Sequence, residues 1–129
     1  MDKNQIGTVT EAMVLAALLK AGKTVLSAFG GKQRYDLVID EAGIFQRIQC
    51  KTGRLRDGSV IFYAKSKSYR GKNVPYTGQV EYFGVFCPET GQSYLVPSNL
   101  VRTGCNLRVE PVGKNCAHMV SHWAKDFEL

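Results

Sequence analysis

The chain is short of the residues that build metal, disulfide and membrane sites. It has only two histidines and one tryptophan, and its four cysteines include no CxxC pair. A structural zinc site draws four Cys or His ligands together, so the scatter of Cys50, Cys87, Cys105 and Cys116 argues against one. His118 and His122 are four apart and can meet on one helical face, but the Glu of an HExxH motif is missing, so ordinary helix residues are expected. No apolar run approaches the roughly 18 residues of a membrane helix, so no transmembrane span is expected. No GxxxxGK[ST] or GxGxxG pattern is present, and Gly30-Gly31 reads as a simple turn rather than a phosphate loop. No signal peptide is expected from the N-terminal residues, and Cys50 and Cys87 sit inside apolar strand patterns. Reduced core thiols in a cytoplasmic protein are therefore expected.

What is present is basic charge, unevenly placed. The 129 residues, about one domain's worth, carry a net charge of +6. Residues 1–72 hold 13 Lys and Arg against 6 Asp and Glu, and residues 73–129 hold 4 against 5, giving +7 and −1. A polyanion-facing first half fits that split, because Lys and Arg that neutralise phosphates supply most nonspecific nucleic-acid affinity. A merely soluble basic surface fits it equally.

Along the chain, strong helix formers with Ile6, Val9, Met13, Val14, Leu15 and Leu18 predict an amphipathic helix from Asn4 to Ala21, stopped by Gly22. Asn4 or Thr8 is its cap. If Thr8, then Glu11 completes a capping box. If Asn4, then Glu11 shares a face with Val14, Leu15 and Leu18, a carboxylate aimed at the sheet and in want of a cation. Residues 23–29 read as a first strand. Residues 52–59 read as a basic turn containing Arg54 and Arg56, and Val60–Ala64 as a core strand. Residues 65–76, KSKSYRGKNVPY, read as a loop in which Lys65, Lys67, Tyr69, Arg70 and Lys72 suit phosphate and sugar contacts. Val80–Cys87 and Ser93–Val96 form a strand pair about a Pro88–Gly91 turn, Pro97–Val101 starts a short helix, and Asn106–Val112 is an edge strand. His118–Phe127 reads as a C-terminal helix striped by Val120, Trp123, Ala124 and Phe127.

The most informative stretch is YDLVIDEAGIFQRIQCK, residues 35–51. Two strand-like runs flank Asp40-Glu41-Ala42-Gly43, which predicts a tight hairpin. By alternation Asp36 and Val38 share one face of the first strand, and Phe45, Arg47, Gln49 and Lys51 share one face of the second. An acid, an amide and an ammonium in strands otherwise rich in apolar residues call for polar company such as an active site.

Glu11 in a helix, Asp36 at the start of a hairpin, and Gln49-Cys50-Lys51 at its end together resemble the PD-(D/E)XK nuclease superfamily. The departures are Gln49, an amide where a second carboxylate is usual, and Tyr35, where a proline often stands. With the segments VEYFGVFCPE, SYLVP and AKDFEL the resemblance runs along nearly the whole chain. It is to a small branch that includes a cyanobacterial group I intron homing endonuclease and stand-alone relatives, some of them with glutamine at the second metal position.

The resemblance implies a single α/β domain over residues 1–129, with a restriction-endonuclease-like core of mixed central sheet and flanking helices. It implies a Mg²⁺-dependent endonuclease acting on double-stranded DNA as a homodimer or tetramer. Asp36, Gln49, the Cys50 carbonyl and Glu11 would surround the cation, and Lys51 would act on the attacking water. Arg54, Arg56, Lys65, Lys67, Tyr69, Arg70 and Lys72 are candidate DNA contacts. In this branch an acid commonly stands before the aromatic pair, as Glu81 does here; it either places that strand or pairs with a lysine of residues 65–72. Two other readings remain: a DNA-binding member of the fold that has lost catalysis, and a basic protein-interaction domain facing acidic partners.

Overall fold

The structure, a computed structural model, describes residues 1–64, 78–111 and 122–129. Helix α1 spans Lys3–Lys20 and is capped by Asp2 rather than by Asn4 or Thr8. The Asp2 carboxylate accepts from the Gln5 N–H at 2.8 Å, and Gln5 Oε1 accepts from the Asp2 N–H at 2.9 Å. This reciprocal box satisfies two of the donors that a helix start leaves open. Thr8, already within the helix, donates its hydroxyl to the Asn4 carbonyl instead, so Glu11 is not a capping residue.

The 35–51 stretch folds as expected. Strands β2 (Leu37–Glu41) and β3 (Ile44–Thr52) pair antiparallel around a two-residue reversal at Ala42-Gly43, both with positive φ (53° and 86°). That conformation matches the twist of the flanking strands, and Gly43 takes it without steric cost. Strand β1 (Thr24–Ser27) is shorter than the 23–29 run and pairs antiparallel with β2; Phe29 beyond it is almost wholly exposed.

The basic turn proves to contain strand β4 (Arg54–Arg56), which hairpins through Asp57-Gly58 into β5 (Ser59–Tyr63). The expected strand pair is β6 (Tyr82–Cys87) with β7 (Gln92–Pro97), followed by a 3₁₀ turn at Ser98–Leu100. Strand β8 covers Gly104–Arg108 rather than 106–112, and lies inside its sheet rather than at the edge. The expected C-terminal helix is not formed over the described part of its range. His122–Trp123 is strand β9, beside β8, and Ala124–Asp126 is a 3₁₀ turn. The tail then bonds to β7 through Leu95 N–H to the Phe127 carbonyl and Leu129 N–H to the Ser93 carbonyl. Open backbone groups on two sheet edges outweigh a helical apolar stripe. The KSKSYRGKNVPY segment and His118 lie outside the described residues.

Two mixed sheets result, in the orders β1-β2-β3-β6-β7 and β4-β5-β8-β9, with β3–β6 and β8–β9 parallel and the rest antiparallel. One core joins the sheets through Val60, Phe62, Phe83, Val85, Tyr94 and Leu107; a second joins α1 to the larger sheet through Val14, Leu18, Leu37, Ile39 and Ile48. The architecture is thus α/β, with α1 on one face of the mixed central sheet. Among the described residues the opposite face is covered by the second sheet, not by a further α-helix. At Gly84 a Cβ would lie 2.6 Å from Val14 Cγ1, so glycine there allows the close seating of α1 on the sheet. No described helix is long and apolar enough to cross a membrane.

Candidate active site

The site forms where β3 outruns β2. Pairing between them stops at Leu37–Ile48, whereas β3 stays paired with parallel β6 through Thr52. The β2-side edge of residues 49–52 is therefore open, and Asp36 sits at its corner. Three hydrogen bonds hold that residue. Its N–H donates to the Ile48 carbonyl at 2.8 Å, its carbonyl accepts from Ala28 N–H at 3.1 Å, and its Oδ2 accepts from Cys50 N–H at 2.9 Å. One carboxylate oxygen thus takes the place of a missing strand, leaving the other to face the cleft.

Above this edge lies the first half of α1. A cleft of about 370 Å³ is lined by Glu11 from the helix and by Asp36, Gln49, Cys50 and Thr52 from the hairpin. Both carboxyls titrate above their ordinary range. Burial raises Glu11 first and the nearby Asp36 charge adds to it, while burial raises Asp36 against the opposing pull of the Cys50 N–H and the Lys51 charge. Two partly desolvated acids facing each other each favour the neutral form unless a cation joins them.

Gln49 Nε2 donates to the Cys50 carbonyl at 3.3 Å, which leaves that oxygen a second lone pair. The Cys50 thiol is pushed far up by burial and by the two acids, so it stays protonated and is no thiolate ligand. Lys51 is not part of the cleft lining. Alternation along β3 puts Cys50 and Thr52 on the α1 side and Gln49 and Lys51 on the other, and the Lys51 charge reaches Asp36 at the strand edge.

Of the described DNA-contact candidates, Arg54 and Arg56 share one side of β4, and Arg54 lies 3.7 Å from Glu89. Lys65, Lys67, Tyr69, Arg70 and Lys72 are outside the described residues. Glu81 pairs with Arg47, accepting from both its guanidinium and its backbone N–H, while the lysines of residues 65–72 lie outside the described residues. The sequence alone suggested no site role for Lys3, Asn4, Gly7, Thr8 or Thr10, which line the cleft with Glu11. Spacing held the signal: Lys3 and Gly7 precede Glu11 by eight and four residues, two turns and one turn of helix.

A helix seated on a mixed sheet, with acids converging at the open end of a hairpin, defines a nuclease-like fold of the restriction-endonuclease type. A family model described as PD-(D/E)XK endonuclease matches residues 1–129, and the chain belongs to that family. The solved structure of a bacterial homing endonuclease, I-Ssp6803I, is similar with a TM-score of 0.74 over 99% of this chain and 89% of that one, at 18% sequence identity. At that identity the likeness is one of fold. A search of curated proteins finds no match.

Proposed function

We propose that residues 1–129 form one Mg²⁺-dependent endonuclease unit that hydrolyses phosphodiester bonds of double-stranded DNA. The observation that carries this reading is the meeting of Glu11 with Asp36 in one cleft, each carboxyl raised by burial and Glu11 further by Asp36.

The donor set suits magnesium, which binds through one or two carboxylates and completes its shell with water and substrate phosphate. Among the described residues no three His, Cys, Asp or Glu side chains cluster for a cation, and none are needed if Gln49 and the Cys50 carbonyl contribute neutral oxygens. Asp36, Gln49, the Cys50 carbonyl and Glu11 would hold the ion. When bound, it would supply Lewis-acid stabilisation of the charge growing on the nonbridging phosphate oxygens.

The chain's own groups do the rest. The Cys50 N–H fixes the Asp36 carboxylate, so its free oxygen needs no reorganisation. Glu11 orients water against the scissile phosphorus. The Lys51 ammonium helps position the water and offsets transition-state charge, while the water proton passes to solvent as its oxygen bonds to phosphorus and the opposite P–O ester bond breaks. One chain offers one such site, so cutting both strands at one locus calls for a homodimer or a pair of dimers, acting in the cytoplasm.

A second reading has its own support: the neutral Gln49 amide, hydrogen-bonded to the Cys50 carbonyl, stands where the family usually has an acid. It describes a DNA-binding protein without catalysis. Supercoiled-plasmid cleavage with Mg²⁺ or with chelator, beside duplex binding, separates the two. Cleavage only with Mg²⁺ supports the nuclease; binding without cleavage in any divalent cation supports the second reading. Absence of both would leave the basic protein-interaction domain.

A further inference from the structure

Helix α1 contains a glycine that packing does not explain. Gly7 lies in its second turn, exposed, and a Cβ there would meet nothing within 4 Å. Glycine is second only to proline in disfavouring a helix interior. Gly7 nevertheless lines the cleft, with Lys3 one turn before it and Glu11 one turn after, so all three follow one face toward Asp36 and Cys50. The helix terminus is not the feature at issue, because Asp2 caps it. The feature is a wall that is cationic at one end and acidic at the other, with no side chain at position 7 midway and only the short polar Asn4, Thr8 and Thr10 beside it. Among the described residues Lys3 has no ion-pair partner.

We propose that the DNA backbone rides over α1 at Gly7, with Lys3 holding a phosphate on the same strand as the one hydrolysed beside Glu11. This rests on the nuclease reading and extends it to a substrate track. At 1.5 Å per residue, Lys3 and Glu11 stand about 12 Å apart along the helix. That is the axial span of roughly three to four phosphates of one strand. A side chain at position 7 would stand in the path, which is why a residue poor for the helix suits the site.

The test is a set of three variants, Gly7→Ala, Gly7→Leu and Lys3→Gln, beside the wild-type protein. Thermal unfolding, duplex affinity in Ca²⁺ across a salt series, and plasmid cleavage in Mg²⁺ are measured for each. Gly7→Ala is expected to raise Tm by roughly 3 °C, from helix propensity in open space, while duplex affinity falls about threefold. Gly7→Leu is expected to stay folded and lose affinity and cleavage by about tenfold or more. Lys3→Gln is expected to lower the log–log salt slope by about one. A merely structural glycine would show no opposition between stability and binding. A folded Gly7→Leu protein that binds and cuts like wild type overturns the track alone. A wild-type protein that neither binds nor cuts DNA overturns the nuclease reading and the track with it.

Discussion

Thr10 Oγ1 and Thr52 Oγ1 lie 2.6 Å apart, a hydrogen bond between the helix residue next to Glu11 and the strand residue next to Lys51. Thr10 is almost fully buried, and both residues line the cleft. The bond ties the element carrying one acid to the strand carrying the rest of the site. Thr10→Val and Thr52→Val should each cost about 1–3 kcal/mol, because each strands a partly buried hydroxyl. The double variant should cost less than the sum, since it removes both polar groups together. Urea unfolding of the three proteins measures this, and Thr10→Ser should retain most of the stability.

The raised acids predict an inverse response of the metal-free protein to pH. Folded Glu11 and Asp36 hold their protons to higher pH than the unfolded chain does. Their contribution is therefore fully present below the unfolded carboxyl values and is lost as pH rises through the folded ones. Asp36→Asn and Glu11→Gln should thus raise the Tm of chelator-treated protein at pH 7, and Mg²⁺ should stabilise wild type more than either variant. Thermal scans at pH 4 and 7, with and without Mg²⁺, decide it; equal Mg²⁺ responses would remove both acids from the ion's surroundings.

Lys51→Ala should slow cleavage by roughly a hundredfold or more, with duplex affinity much less changed, because the ammonium acts on transition-state charge. Plasmid cleavage at saturating protein reads this, and undiminished cutting would exclude Lys51. In thermal unfolding, Gln49→Glu should bind Mg²⁺ at least as well as wild type, seen as a Tm gain on adding the ion that is no smaller than that of wild type.

The Arg47–Glu81 pair predicts the opposite pH behaviour from the site acids. The Arg47 guanidinium and backbone N–H hold Glu81 below the ordinary carboxylate range. Its contribution is present above the unfolded value and is lost as pH falls through the folded one. Glu81→Gln should be less stable than wild type at pH 7 by about 1 kcal/mol, with the difference vanishing in acid. A gap that persists at pH 3 would mean that the side chain acts by packing rather than by charge.

The hairpin shows how far local sequence reaches. Ala42-Gly43 between two β-rich runs fixes a tight turn, and a turn fixes register, so the spacing from Asp36 to Gln49 and Lys51 was legible in the order of residues. The long helix and the β6–β7 pair were legible for the same reason, since their apolar periods are written in consecutive residues. The C-terminal stripe of Val120, Trp123, Ala124 and Phe127 has a helical period too. Yet from His122 on the chain is held by the edges of β8 and β7. Which edges stand open is a property of the assembled sheets, absent from any short window. The same holds for Glu11. Its sequence allowed a capping role or a site role, and the choice fell to Asp2, which caps the helix six residues before Thr8, and to Gly84, which lets α1 sit close on the sheet. Residue order determined the hairpin and the acids it carries; tertiary packing alone brought Glu11, Thr10 and Gly7 to its open edge, because only the folded chain sets the distance between helix and strand.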